Sequence, residues 1–296
     1  MGIKKASSTY TFNIIGYVFI FLFTIFCLLP FALLISGSLS SNDSIIKNGY
    51  HLVPQVFSTK AYELIFRFPE EILTAYGVTI FNTVVGTSIG LFITAMTGFV
   101  LQRPDCKYRN VISFLIYFTT IFQGGILPWY ILITKYYHLK DSMWVLILPS
   151  LTSPFLIILM KNFIRSSVPH EIVESAKIDG AGDFRIFCSI ILRIALPGLA
   201  TVGLFLALGY WNDWYLSSLF ISTPGKYSLQ FYLYNMLNNS SYLQKMAQAG
   251  VGASIDLPSE TSKLAMAVVC TGPIIFLYPF IQKYFVKGLT VGAVKG

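Results

Sequence analysis

The chain is divided into long runs of apolar residues, and these limit what it can fold into. They cover approximately residues 12–36, 75–101, 111–134, 143–163, 197–221 and 264–286. Each approaches the roughly 20 residues that a helix needs to cross hydrocarbon. None alternates with the period of a barrel strand, and an open sheet cannot satisfy its backbone in lipid. The expected fold is therefore an all-α membrane protein with six transmembrane helices. Composition agrees. Only 11% of the 296 residues are charged and 55% are hydrophobic, whereas a soluble domain carries about 25% charged residues. The first run lacks a small-residue cleavage site and reads as a retained span, not a removed signal peptide.

Loop charge sets the orientation. With the N-terminus inside, the inner segments carry Lys4, Lys5, Arg103, Lys107, Arg109, Lys161, Arg165, Lys177, Arg185, Arg193, Lys283, Lys287 and Lys295, which is 13 of the 21 basic residues. Acidic residues favour the other side. The positive-inside rule thus puts both termini in the cytoplasm. The net charge of +8 is a topology signal. No basic run exceeds two residues, which argues against a nucleic-acid groove. Extracellular loops are expected at about 37–74 and 222–263, and a cytoplasmic loop at about 164–196.

Several residues within the spans stand out. Gly86, Gly90, Thr94 and Gly98 recur every four residues in helix 2 and would let another helix approach closely. Gln123-Gly124-Gly125 in helix 3, followed by Pro128, predicts a kink near mid-membrane. A Gln amide at that depth should face protein or a water-filled path, so these three residues are candidates to line it. Trp211-Asn212-Asp213 in helix 5 is a second candidate, since aromatic faces beside an amide and a carboxylate suit a sugar. The competing role for this group is an interfacial aromatic belt. Cys27, Cys106, Cys188 and Cys270 have no metal or redox spacing. The three histidines fall in separate loops, so no metal site is expected.

The cytoplasmic segment after helix 4 is different in kind. It carries Glu171, Glu174, Lys177, Asp179, Asp183, Arg185 and Arg193 among apolar residues. Pro169 fits an early helical position, with Ser166 or Ser167 as cap. A first short helix would run to about Ile178, with Ile172, Val173 and Ala176 on its apolar face. Asp179-Gly180 would end it, because glycine enters the left-handed region freely. A second helix should begin near Asp183, with Phe184, Phe187 and Ile190 or Ile191 on one face. On pattern alone, this helix–turn–helix either docks a partner or closes the bundle at the interface.

The spacing Glu174-Ser175-Ala176, three residues, Gly180, nine residues, Ile190, one residue, Leu192 resembles the coupling loop of ATP-binding-cassette importer permeases. Two departures are Ser175 for the first Ala of that motif and Arg193 for its Pro, which puts the local bend in doubt. Val168-Pro169 with Ile178-Asp179-Gly180-Ala181, the element Gly209–Trp214 and the tail 287–296 resemble the carbohydrate-importing branch, as in the smaller maltose-type permease. The resemblance covers nearly the whole chain.

What it implies is a single permease domain over residues 1–296. Glu171, Glu174, Ser175, Ala176, Asp179, Gly180, Ala181 and Phe184 would dock on an ATPase. The implied partners are a second, different permease, two ATP-binding subunits and an extracellular solute-binding protein. The implied substrate is a carbohydrate. The chain has no Gly-x-x-x-x-Gly-Lys-Ser/Thr phosphate loop. It should therefore bind no cofactor, with ATP and Mg held by the partner subunits, and should not be an enzyme. The rival readings are a permease for another solute, a stand-alone secondary transporter, which would want inverted repeats or buried charge pairs, and an intramembrane enzyme, which would want a catalytic constellation within the spans.

Overall fold

The computed structural model describes residues 7–67, 69–238, 260–273 and 275. Among these residues the protein is helical, with a single isolated bridge between Ser40 and Phe57 and no strand. Two compact units are formed. One comprises Met1–Pro69 with Met236–Pro273, the other Glu70–Asn235 with Ile274–Gly296.

The first unit holds α1 (Ser7–Ser38), α2 (Asn42–Asn48) and α3 (Lys60–Ile65). The 18-residue apolar stretch that marks α1 as a span has none of its length buried. A helix apolar on every side and uncovered by its own chain is suited to hydrocarbon. Its C-terminal turn is tied down by polar contacts instead. Ser36 donates to the His51 carbonyl (2.7 Å), and the Ser38 hydroxyl meets the Tyr62 hydroxyl (2.8 Å). Ser41 caps α2 by accepting from the Ser44 amide.

The second unit is organised around α4 (Pro69–Gln102). The expected close approach along helix 2 is present: Gly86, Gly90, Thr94 and Gly98 are all buried. A Cβ on Gly90 would lie 2.5 Å from the Leu151 carbonyl oxygen, and one on Gly98 would lie 3.0 Å from the Lys161 amide. Gly86 lies against the Tyr210 ring, whose hydroxyl donates to the Ile147 carbonyl (2.9 Å).

The next three apolar runs are not continuous helices. Helix 3 is α5 (Arg109–Ile121) and then α6 (Ile126–Ile131), extended by a π-helical stretch Leu132–Tyr136; the two pieces turn by 113°. The expected kink is thus a full break. Gly125 takes φ 87°, and Pro128 falls in the first turn of α6, where its missing N–H costs nothing. Helix 4 is a 3₁₀ segment, Met143–Ser150, followed after a 50° bend by α7 (Pro154–Ser167). Pro154 at the start of α7 imposes the same restart. The remaining elements are α8 (His170–Ile178), α9 (Asp183–Ile186), a π-helical turn Phe187–Ile191, α10 (Leu192–Ile194), α11 (Leu196–Trp211), α12 (Tyr215–Phe220) and α13 (Leu229–Asn238). Helix 5 therefore also breaks, at residues 212–214. With each bent pair read as one span, the described residues hold up to five. The sixth run, 264–286, is helical over 264–273 and otherwise lies outside the described residues.

One core cluster serves both the apolar helices and the segment from Pro169 to Ile194. It joins Ala95 and Phe99 of α4, Met160 and Ile164 of α7, Val173 of α8, Phe187 and Ile191 of the π turn, and Val202 of α11. Phe187 is 1% exposed, and its ring lies 5.7 Å from both Phe92 and Phe99.

Candidate functional site

The segment from Pro169 to Ile194 folds as the expected helix–turn–helix, with one shift at its start. Ser166 and Ser167 are still within α7, where Ser166 donates back to the Phe163 carbonyl. Pro169 is itself the cap residue, and α8 begins at His170. The turn is a Schellman motif. Gly180 takes φ 79°. Its amide donates to the Lys177 carbonyl (3.0 Å), and the Ala181 amide to the Ala176 carbonyl (2.9 Å). The same two alanines are the apolar residues of the motif. Both are half-buried and pack on the core cluster. Ala176 and Ala181 thus join the turn to the core, through a backbone hydrogen bond between them and packing on the cluster.

The other expected docking residues point outward. Glu171, Glu174, Ser175, Asp179, Gly180 and Phe184 are exposed. Glu174 accepts from His170 one turn earlier (3.1 Å). Of the expected apolar faces, Val173, Phe187 and Ile191 are buried, whereas Ile172 and Phe184 are exposed. Ile178 is 86% exposed, an uncovered apolar side chain at the tip of α8. The second helix runs through Arg193 without interruption and then turns by 86° into α11. The bend survives the missing Pro because Pro197, in the first turn of α11, restarts the helix.

Ion pairs fix the segment to the loop between α4 and α5. Arg103, 14% exposed and stacked over Phe99, reaches Asp183 (2.7 Å) and also binds Asp105. Lys177 reaches Asp105 (2.7 Å). The Arg103 guanidinium, and then the Lys177 ammonium, hold the Asp105 carboxyl well below the usual carboxylate range. The hydrogen bond to Asp105 likewise raises Arg103, against the effect of its burial. Loops that charge counting assigned to one side therefore meet. The same is true at the opposite ends of these helices. Asp141 accepts from the Ser222 and Thr223 amides (both 3.0 Å), the Thr223 hydroxyl (2.7 Å) and Lys226 (3.0 Å). The Thr223 bonds are the main reason its carboxyl lies below the ordinary range.

Gln123, Gly124 and Gly125 occupy the break between α5 and α6 and are exposed. Trp211 is 5% exposed, 6.5 Å from the Tyr76 ring. Asn212 is exposed and donates to the Leu208 carbonyl (3.0 Å). Asp213 caps α12 by accepting from the Leu216 amide (3.2 Å), and its carbonyl accepts from Ser228. Trp214, Tyr215 and Tyr234 leave aromatic surface uncovered here, with Trp214 5.5 Å from the Tyr234 ring.

Residues 85–291 match the family described as binding-protein-dependent transport system inner membrane component. The chain belongs to this family. Among relatives, it is 37% identical over 286 residues to the polygalacturonan/rhamnogalacturonan transport system permease protein YtcP of Bacillus subtilis, covering 96% of this chain and 98% of that one. It is 38% identical to protein LplC of the same organism over 91% of this chain and 90% of that one. A crystal structure of a bacterial ABC transporter involved in import of the acidic polysaccharide alginate matches with TM-score 0.79 at 27% identity, covering 96% of this chain and 100% of that one.

A permease of this family is an inner-membrane transport component that works with other transporter subunits and a solute-binding protein. In this chain, residues 170–194 form an arm whose inner face belongs to the core cluster. Two features of the arm escaped sequence reasoning. One is Ile178, which falls on neither expected apolar face and which only the structure shows to be uncovered. The other is the arm's anchor in the loop between α4 and α5: Arg103 reads in the sequence only as one of the basic loop residues, whereas it pairs with Asp105 and Asp183.

Proposed function

We propose that this chain is a transmembrane permease subunit of an ATP-driven carbohydrate importer, with residues 170–184 as the surface that docks on an ATP-binding subunit. The observation that carries the reading is the arm. It exposes Glu171, Glu174, Ile178 and Phe184 while its opposite face shares one core with α4, α7 and α11. A push on α8 is then delivered directly to the spans, through Val173 and Phe187 and through the 86° junction at Ala195. Closure of two ATP-binding subunits would move the arm as a body and shift the path between outward-open and inward-open states. ATP and Mg would be held by those subunits, not by this chain.

The fuller assembly we propose has six spans with both termini cytoplasmic, a second and different permease chain, two ATP-binding subunits and an extracellular solute-binding protein. Carbohydrate as cargo is supported by relatives named for polygalacturonan, rhamnogalacturonan and arabinooligosaccharides and by the alginate importer. The path would pass Gln123, Gly124 and Gly125 and the group Trp211, Asn212 and Asp213, with Trp211 supporting the wall from behind.

The test is purification of the tagged protein from its native membrane in mild detergent. An ATP-binding subunit and a second permease should co-purify, and Gly180→Trp should lose the former. No atom lies within 4 Å of a Cβ built on Gly180, so a side chain can leave the backbone there without a clash. Its backbone strain is about 1–2 kcal/mol. Recovery of this chain alone, well folded, would refute the reading, as would normal uptake by both Gly180→Trp and Glu174→Ala.

A further inference from the structure

Between α8, the end of α7 and the loop after α4 lies a cavity of about 860 Å³. Several of its charges are already matched. Asp105 and Asp183 neutralise Arg103 and Lys177, and Glu174 is met by His170. Three cations on the same wall are not. Among the described residues Arg109, Lys161 and Arg165 meet no carboxylate. Arg109 donates to the Arg103 carbonyl (3.2 Å), and Lys161, half-buried, to the Ser113 hydroxyl (3.1 Å). Glu171 is left on that wall against the three of them. Like charges gathered without a counter-charge repel one another, and the arrangement is favourable only when an anion enters.

The position of the cluster narrows the anion. Arg109 opens α5, while Lys161 and Arg165 stand one turn apart in the second half of α7, so all three lie toward one end of these apolar helices. Directly beside Arg109, α5 exposes Val111, Phe114 and Leu115, and it has no buried residue at all. A cationic notch continuous with an uncovered apolar helix face matches an anionic head attached to acyl chains.

We propose that this cavity binds a phosphate-bearing anion, with the headgroup of an anionic phospholipid of the cytoplasmic leaflet as its source. The proposal rests on the reading above that this end of the bundle is cytoplasmic. Bound there, the phosphate bridges α5 and α7 beside the base of α8, so the lipid would brace the coupling arm.

The test uses the intact importer in nanodiscs of phosphatidylcholine with and without phosphatidylglycerol, examined by native mass spectrometry. Wild type should retain phosphatidylglycerol. Lys161→Gln with Arg165→Gln should need about thirtyfold more of it for equal retention, and the exposed Arg165→Gln alone about fivefold. The single variant keeps the test alive should the double variant not fold. The same spectra report the ATP-binding subunits; their absence from wild type counts against the importer reading and not against the lipid site. Protection of Lys161 from an amine-reactive reagent by inorganic phosphate, without retained phosphatidylglycerol, keeps the phosphate chemistry and makes the ligand soluble. Equal retention by wild type and variants would overturn the proposal. So would protection of Lys161 by the ATP-binding subunits alone, in phosphatidylcholine without added phosphate.

Discussion

Asp141 shows how much one residue can organise. It has φ 57°, a conformation that Asp and Asn tolerate better than most side chains. Its two carboxylate oxygens gather donors from Ser222, Thr223 and Lys226, which ties the loop between helices 3 and 4 to the start of the loop after helix 5. The carboxyl is held below its ordinary value, so its contribution is complete above about pH 4 and is lost as pH falls through the lowered folded value. Asp141→Asn keeps the backbone conformation and removes the charge. It should lower the melting temperature of the purified complex by an amount that stays constant from about pH 8 to about pH 5 and shrinks only in stronger acid. A difference that disappears between about pH 7 and pH 6 would show that the carboxyl is not held this way. Neither the φ value nor the donors were legible in the sequence, because the donors lie about eighty residues further along the chain.

At the scale of elements, α4 is the reference against which the unit packs. Its glycines are not interchangeable. Gly86, Gly90 and Gly98 face Tyr210, the Leu151 carbonyl and the backbone at Met160–Lys161, whereas no atom lies within 4 Å of a Cβ on Gly77. Replacing any of the first three by Ala should cost about 1–3 kcal/mol, since backbone or a packed ring must move. Gly77→Ala should be neutral or stabilise by up to about 1 kcal/mol through helix propensity. Thermal melts of the four variants in one detergent would check this; equal melting temperatures would refute the packing. The four-residue spacing announced this face in the sequence. The break in helix 3 was only partly legible. Gly124, Gly125 and Pro128 signalled a weak point, but a 113° turn depends on the positive φ of Gly125, which spacing does not report.

On the scale of the whole molecule, the loops sort into two groups that meet within themselves, Arg103 and Asp105 with Lys177 and Asp183, and Asp141 with Ser222 and Lys226. Charge counting assigned each group to one side. Cys106, half-buried in the loop between α4 and α5, tests which side is which. With Cys27, Cys188 and Cys270 replaced by Ser, a membrane-impermeant maleimide should label it in inside-out vesicles and leave it untouched in right-side-out ones. The opposite pattern would invert the topology and remove the arm from any cytoplasmic ATPase. The arm itself is held by ion pairs whose carboxylates are exposed, which limits each to about 1 kcal/mol. Its rigidity comes mainly from Val173, Phe187 and Ile191 in the shared core.

By itself the sequence determined the class of the molecule, the positions of its apolar runs and the limits of the helix–turn–helix. Lipid admits few backbone solutions, and a Gly after an Asp at a helix end is a local signal. Tertiary structure alone decided which residues of the arm face outward. Ile172 shares an expected apolar face with Val173, and Phe184 with Phe187, yet only Val173 and Phe187 are buried, because the core cluster reaches only that part of the arm. It also decided that, among the described residues, Arg103 meets carboxylates while Arg109, Lys161 and Arg165 do not. Charge balance depends on distances between segments that come together only when α4, α5, α7 and α8 pack.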